Sequence, residues 1–283
     1  MSDQPFKEKA QDVPLTIIAV LEEITSVSTT LSAATLASLA SRNASLIALH
    51  IEVDPDRIVT APEEISLQHM RERYEGTAPK RADEIKHRFD MWQARNPNEA
   101  VSWRLRVGTL NDTLPPETHS ADLLVLTRPH NMDASDAFHA ALFDAKKLVL
   151  FAPEKLADPT IGEHIVVAWK PRQQALRAVV AALPWLKAAG RVTVVAADEP
   201  TESFELDQLA PLLKQHSIAF EFAPTSVQET EHPADAILRQ AAAVGADSVV
   251  MGAFRFGMIA EWIFGGVTRE MIYKSQLPLF LMH

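Results

Sequence analysis

The chain contains no cysteine, which excludes disulfide staples, thiolate nucleophiles and cysteine-ligated metal centres, and is compatible with a reducing compartment. No apolar run approaches the roughly 20 residues needed to cross a bilayer. Met1 to Val13 is polar and charged, without the basic-then-apolar order of a secretory leader. Positive charge is in deficit: 27 Lys and Arg stand against 37 Asp and Glu, a net charge of −10. That balance argues against an extended nucleic-acid surface, while leaving room for a local basic pocket. The expected setting is the cytoplasm, with neither membrane nor nucleic acid as a partner.

What is present is ample core material, 47% hydrophobic over 283 residues. That length exceeds one α/β domain of roughly 100 to 150 residues, so two domains are expected. Strand Leu15 to Val20, a small-residue helix over Ser28 to Arg42 and strand Ser45 to His50 read as a right-handed parallel crossover. Glu63 to Arg95 is charged, broken near Gly76 to Pro79, and reads as amphipathic helices. Strands follow at Val101 to Val107, Asp122 to Thr127 and Lys147 to Phe151, with helices at Leu110 to Thr118 and Ala134 to Ala145 between them. After Pro153 to Pro159 the chain begins again. Strands are expected at Ile165 to Trp169, Arg191 to Ala196, Ile218 to Phe222, Ala246 to Gly252 and Leu279 to Met282. Helices are expected at Gln173 to Ala189, Phe204 to His216, Glu229 to Gly245 and from Gly265-Gly266 onward.

The halves carry a weak repeat. Ala121-Asp122-Leu123-Leu124-Val125-Leu126 answers Ala246-Asp247-Ser248-Val249-Val250-Met251, and Lys147 to Phe151 answers Gln276 to Phe280. Two similar α/β units are expected, divided as 1–157 and 158–283 and related by an approximate two-fold axis.

The stretch Gly252-Ala253-Phe254-Arg255, followed by Gly265-Gly266-Val267-Thr268-Arg269-Glu270 and a closing apolar strand after Pro278, resembles the universal stress protein family. Nucleotide-binding members of that family place a glycine after strand four, a second glycine three positions on and, after nine further residues, a glycine followed by Ser or Thr. Here Gly252 and Gly265 match, Arg255 stands at the second glycine and Gly266 at the hydroxyl residue. The resemblance covers Ile161 to His283 and, less specifically, Leu15 to Pro153. It implies open, mainly parallel five-stranded sheets in the order 3-2-1-4-5, one per half. It also implies that Leu148 to Phe151 and Leu279 to Met282 pair the halves into an intramolecular pseudo-dimer, open to further homodimerisation. The family's acidic residue after strand one is replaced by Lys170-Pro171-Arg172 in the second half, and Glu22 or Glu23 stands near it in the first. Arg128-Pro129-His130-Asn131 replaces the first half's phosphate turn.

Two readings of the second-half residues stay open. Gly252, Gly265 and Gly266 leave N–H groups accessible to a phosphate, with Lys170 and Arg255 adding positive charge. Alternatively Arg255 fills that space and the glycines serve packing. Elsewhere His50, His130 and His139 lack metal-ligand spacing, and no serine sits in a glycine-flanked elbow. Asp133 and Asp136 near His139 read as a capped, solvated helix start rather than an acid-base pair. The five tryptophans read as core or interface, and Lys80 to Arg95 as a solvated face.

The expected function is a stress-associated regulatory or interaction protein with an unidentified protein partner, without recognisable catalytic or metal-binding residues and without an obligatory cofactor. The alternative is a sensor of ATP, AMP or another phosphate-bearing ligand using the second pocket, with slow ATP hydrolysis and with Mg only where ATP binds.

Overall fold

The computed structural model describes residues 14–41, 44–156, 160–196, 206, 208–254 and 266–283. In the first half, β1 (Leu15–Val20), α1 (Val27–Ser41) and β2 (Ala44–Glu52) lead into α2 (Pro62–Glu75) and α3 (Ala78–Arg95). Then come β3 (Val101–Val107), α4 (Leu110–Glu117), β4 (Leu123–Thr127), α5 (Met132–His139) and β5 (Val149–Ala152). The second half contains β6 (His164–Ala168), α6 (Gln173–Ala181), α7 (Leu183–Ala188), β7 (Arg191–Val195) and α8 (Leu209–Gln215). It ends with β8 (Glu221–Phe222), α9 (Pro233–Val244), β9 (Ser248–Gly252), α10 (Val267–Lys274) and β10 (Leu279–Met282).

The strands form one 10-stranded sheet in the order β3-β2-β1-β4-β5-β10-β9-β6-β7-β8. Each half therefore has the order 3-2-1-4-5. Every pairing within a half is parallel, and the halves join through the antiparallel pair β5–β10, Leu279 opposite Phe151 and Leu281 opposite Val149. The expected pairing of the two last strands is thus present. It covers an edge that each half would otherwise expose.

Strand alternation splits the core into two layers. Ile17, Ala19 and Leu21 face the side covered by α1, α3, α6 and α7, and Ile18 and Val20 face α4, α5, α9 and α10. Each layer continues across the junction. Trp185 is fully buried, donates its indole N–H to the carbonyl of Ala37 at 2.9 Å, and packs against Phe280 at 5.6 Å.

The repeated aspartates have the same task. Asp122 accepts the N–H of Thr16 at 2.8 Å, and Asp247 accepts those of Gly162, Glu163 and His164 at 2.7, 2.8 and 2.9 Å. Each ties the start of a half's fourth strand to the start of its first.

Several elements differ from the sequence reading. The expected helix Gln173 to Ala189 is two, because Pro184 has no N–H to continue α6 and instead opens α7. The helix expected over Ala134 to Ala145 begins at Met132 and passes into a π-helical turn at Ala140–Asp144. Only Glu221 and Phe222 of the expected strand Ile218 to Phe222 pair with β7. The helix expected over Phe204 to His216 is described only as α8, and Phe204 lies outside the described residues. The helix expected from Glu229 starts at Pro233, where the His232 ring nitrogen accepts the Ala234 N–H, and ends at left-handed Gly245 as anticipated.

Candidate functional site

In an open parallel sheet, neighbouring strands whose crossovers leave in opposite directions open a crevice at their carboxyl ends. Here that point lies between β6 and β9 in the second half and between β1 and β4 in the first.

The second-half crevice is a cavity of about 260 Å³. Ala168, Met251 and Ala253 form its apolar floor with Ala175, Ile237 and Val267, while Lys170, Arg172 and Gln174 bring polar atoms to its wall. No acidic side chain lines it among the described residues. Two helices begin there without a side-chain cap: α6 after Arg172 and α10 after Gly266. Each start is the positive end of a helix dipole, so charge favours an anion there. Thr268 also lines the cavity, but its hydroxyl is engaged by the backbone N–H of Phe254 at 3.1 Å. Phe254 has a φ of +50°, a left-handed conformation costly for a bulky residue. That bond holds it, together with ring contacts to Phe138 at 6.4 Å and Phe143 at 5.6 Å from the first half.

The structure brings Gly252 and Lys170 into one cavity, with Gly266 capping the adjoining α10. Arg255 and Gly265 lie outside the described residues. For Gly252, packing accounts for the missing side chain. A Cβ there would lie 2.5 Å from the Ala175 nitrogen and 2.7 Å from the Gln174 carbonyl carbon, backbone atoms of α6 that cannot swing aside. Glycine spacing does not point to Arg172, Gln174 or the α6 N-terminus as parts of this cavity. Only the fold brings α6 against β9.

The first-half crevice is filled by the chain itself. Ile17 pairs with Leu123 as Ile165 pairs with Ser248, and the N–H of Leu21 bonds Leu49 as that of Trp169 bonds Val195. This equivalence places Glu22 where the second half has Lys170. Glu22 is buried, accepts the Ile51 N–H at 3.0 Å and lies 3.4 Å from His50 Nδ1, which also contacts the Leu21 carbonyl at 2.7 Å. Burial pushes the Glu22 carboxyl up against the opposing effect of His50; burial likewise resists charge on His50, but the neighbouring carboxylate raises it overall. A neutral Glu22 would withdraw the charge that raises His50, so the two titrate as one pair sharing a proton.

Asp133 corrects the expectation of a solvated helix start. It is buried, ion-paired with the buried Arg71 of α2, and accepts from Gln68 at 3.2 Å. Asn131, not Asp133, caps α5, accepting the Ala134 N–H at 2.8 Å. Nothing in the local spacing reveals the partner, because Arg71 arrives from a distant helix. Among the described residues no group of three His, Asp or Glu side chains is placed to hold a metal ion.

The duplicated open sheet, with one crevice closed by its own polar groups and the other open and cationic, defines a tandem α/β protein of two like halves. Residues 162–283 match the Universal stress protein family, and the first half repeats the strand order of that half. A universal stress protein from Archaeoglobus fulgidus DSM 4304 is 14% identical, with a TM-score of 0.58, over 94% of this chain and 95% of that one. A functionally unknown protein from Pseudomonas aeruginosa PAO1 is 16% identical, with a TM-score of 0.52, over 97% and 94%. A universal stress protein solved in complex with cAMP is 23% identical, with a TM-score of 0.37, over 43% of this chain and 96% of that one. No curated protein matches the chain. Among the described residues no helix is long and apolar enough to cross a membrane.

Proposed function

We propose that the protein is a stress-associated regulatory protein whose second-half cavity takes a phosphate-bearing small molecule, adenine nucleotides being the ligand class, and which acts through occupancy rather than turnover. The observation that carries this reading is the cavity at the β6–β9 crevice, bordered by Lys170, Arg172 and two uncapped helix starts, with no acidic lining residue among those described. Its volume of about 260 Å³ lies just below the roughly 300 Å³ lower end of small-molecule sites. That suits one end of a mononucleotide better than a whole triphosphate. In the proposal Lys170 and Arg172 neutralise the phosphate, the helix starts donate to it, and Ala168, Ile237 and Met251 cover an apolar ring. With Lys170 in place of a ribose acceptor, recognition rests on the phosphate rather than the sugar.

Native mass spectrometry with AMP, ATP, cAMP and inorganic phosphate, each with and without Mg, tests the proposal. One ligand per chain is expected, lost on combining Lys170→Glu with Arg172→Glu. A protein that stays ligand-free through millimolar concentrations would overturn it.

A second reading, a module that binds a protein partner without a ligand, is favoured by α2. Leu67, Met70 and Tyr74 recur there at helical spacing, all exposed, Tyr74 at 86%. Recovery of one specific partner by wild type but not by Tyr74→Glu, with no nucleotide bound, would favour it.

A further inference from the structure

In the first-half crevice one carboxylate, that of Glu23, sits where an anion would. The turn after β4 runs through Arg128–Asn131 into α5, and two of its backbone N–H groups reach Glu23, just past the end of β1. Those of His130 and Asn131 both donate to Oε1 of Glu23, the second at 2.8 Å. The His130 ring reaches Oε2 of the same carboxylate through Nδ1 at 3.2 Å. Glu23 is only 5% exposed, an environment in which a carboxylate persists when its oxygens are engaged. Backbone donors at a helix start holding a buried anionic oxygen constitute an occupied anion site, the anion here being part of the chain.

We propose that the first half is self-liganded: the Glu23 carboxylate serves as an internal anion for the turn after β4, keeping that half in its anion-bound conformation without an external ligand. The clasp also reaches the second half. From the same turn, Arg128 donates to the carbonyls of Ile272 and Tyr273 at 2.8 and 2.7 Å, at the C-terminal end of α10, where a cation complements the helix dipole. His130 Nε2 lies 3.2 Å from Glu154, which follows β5 and leads toward the second half. Holding the turn therefore holds the groups that grip α10 and the connecting segment. None of these contacts involves the second-half cavity, so the clasp holds whether or not that cavity binds a nucleotide.

Chemical rescue tests it. In Glu23→Ala, acetate or inorganic phosphate should shift the backbone amide resonances of His130 and Asn131 saturably and restore lost melting temperature, while the same anions leave these amides unmoved in wild type. Amides that stay unmoved in a folded Glu23→Ala protein, or that respond equally in wild type, would overturn the proposal. Should Glu23→Ala not fold, Glu23→Gln decides: with the charge on their acceptor removed, the His130 and Asn131 amides must both shift from their wild-type positions, and amides unchanged from wild type overturn the proposal.

Discussion

Two residues have energetic roles that their local sequence conceals. Gly252 lies in a matched glycine motif, but its immediate constraint is backbone contact with α6. Gly252→Ala is expected to displace the α6 start and to destabilise the protein by about 1–3 kcal/mol through overpacking, read as a lower denaturant midpoint. A variant as stable as wild type would remove packing as the reason for that glycine. Asp133 balances Arg71, and both side chains are about 5% exposed. Asp133→Ala leaves the buried Arg71 guanidinium with Glu75, 2.6 Å from its Nε, as its remaining carboxylate, and is expected to cost about 1.5–3 kcal/mol. Combining it with Arg71→Met should recover much of that loss in a double-mutant cycle, whereas additive losses would show that the pair is not coupled.

Between elements, the turn after β4 joins β1, α5 and the segment after β5 through His130. Burial opposes charge on this imidazole, but its contacts with Glu23 and then Glu154 raise its pKa overall; Arg128 stands 3.4 Å from Glu154 and shares that carboxylate. A raised folded value gives stability that is fully present below the ordinary histidine value of about 6.5 and is lost as pH rises through the folded value. The melting-temperature advantage of wild type over His130→Gln should therefore be larger near about pH 6 than near about pH 8.5. Because the ring is half exposed, solvent screening keeps the effect small. An advantage that is flat or grows with pH would contradict this pairing.

On the scale of the whole molecule, the continuous sheet and its two shared core layers make the halves one mechanical body. Unfolding should be a single transition, with tryptophan fluorescence and far-UV circular dichroism coinciding. Trp185→Ala removes a fully buried indole and its hydrogen bond to Ala37 in the other half, with an expected cost of about 3–5 kcal/mol. The same substitution should lower the stability of both halves, detected as faster amide exchange in β1 as well as β6. Faster exchange confined to the second half would show that the halves are energetically separate.

Periodicity and repetition by themselves determined the α/β class, the duplication and most strand positions. Buried strands such as Leu123–Thr127 and Ser248–Gly252 are short apolar runs whatever surrounds them, and Asp122 and Asp247 mark equivalent starts. Strand order and pairing of the halves came from resemblance to a family rather than from local pattern. The tertiary structure decided the chemistry of the two crevices. Lys170 and Glu22 become equivalent only when the ladders are laid over each other, and Arg71 meets Asp133 only because the fold brings α2 to the start of α5. Local pattern reports what each segment buries. Charge and hydrogen-bond partners at a strand end come from segments distant in the chain, so the open basic crevice and the closed, self-occupied one are properties of the assembled fold.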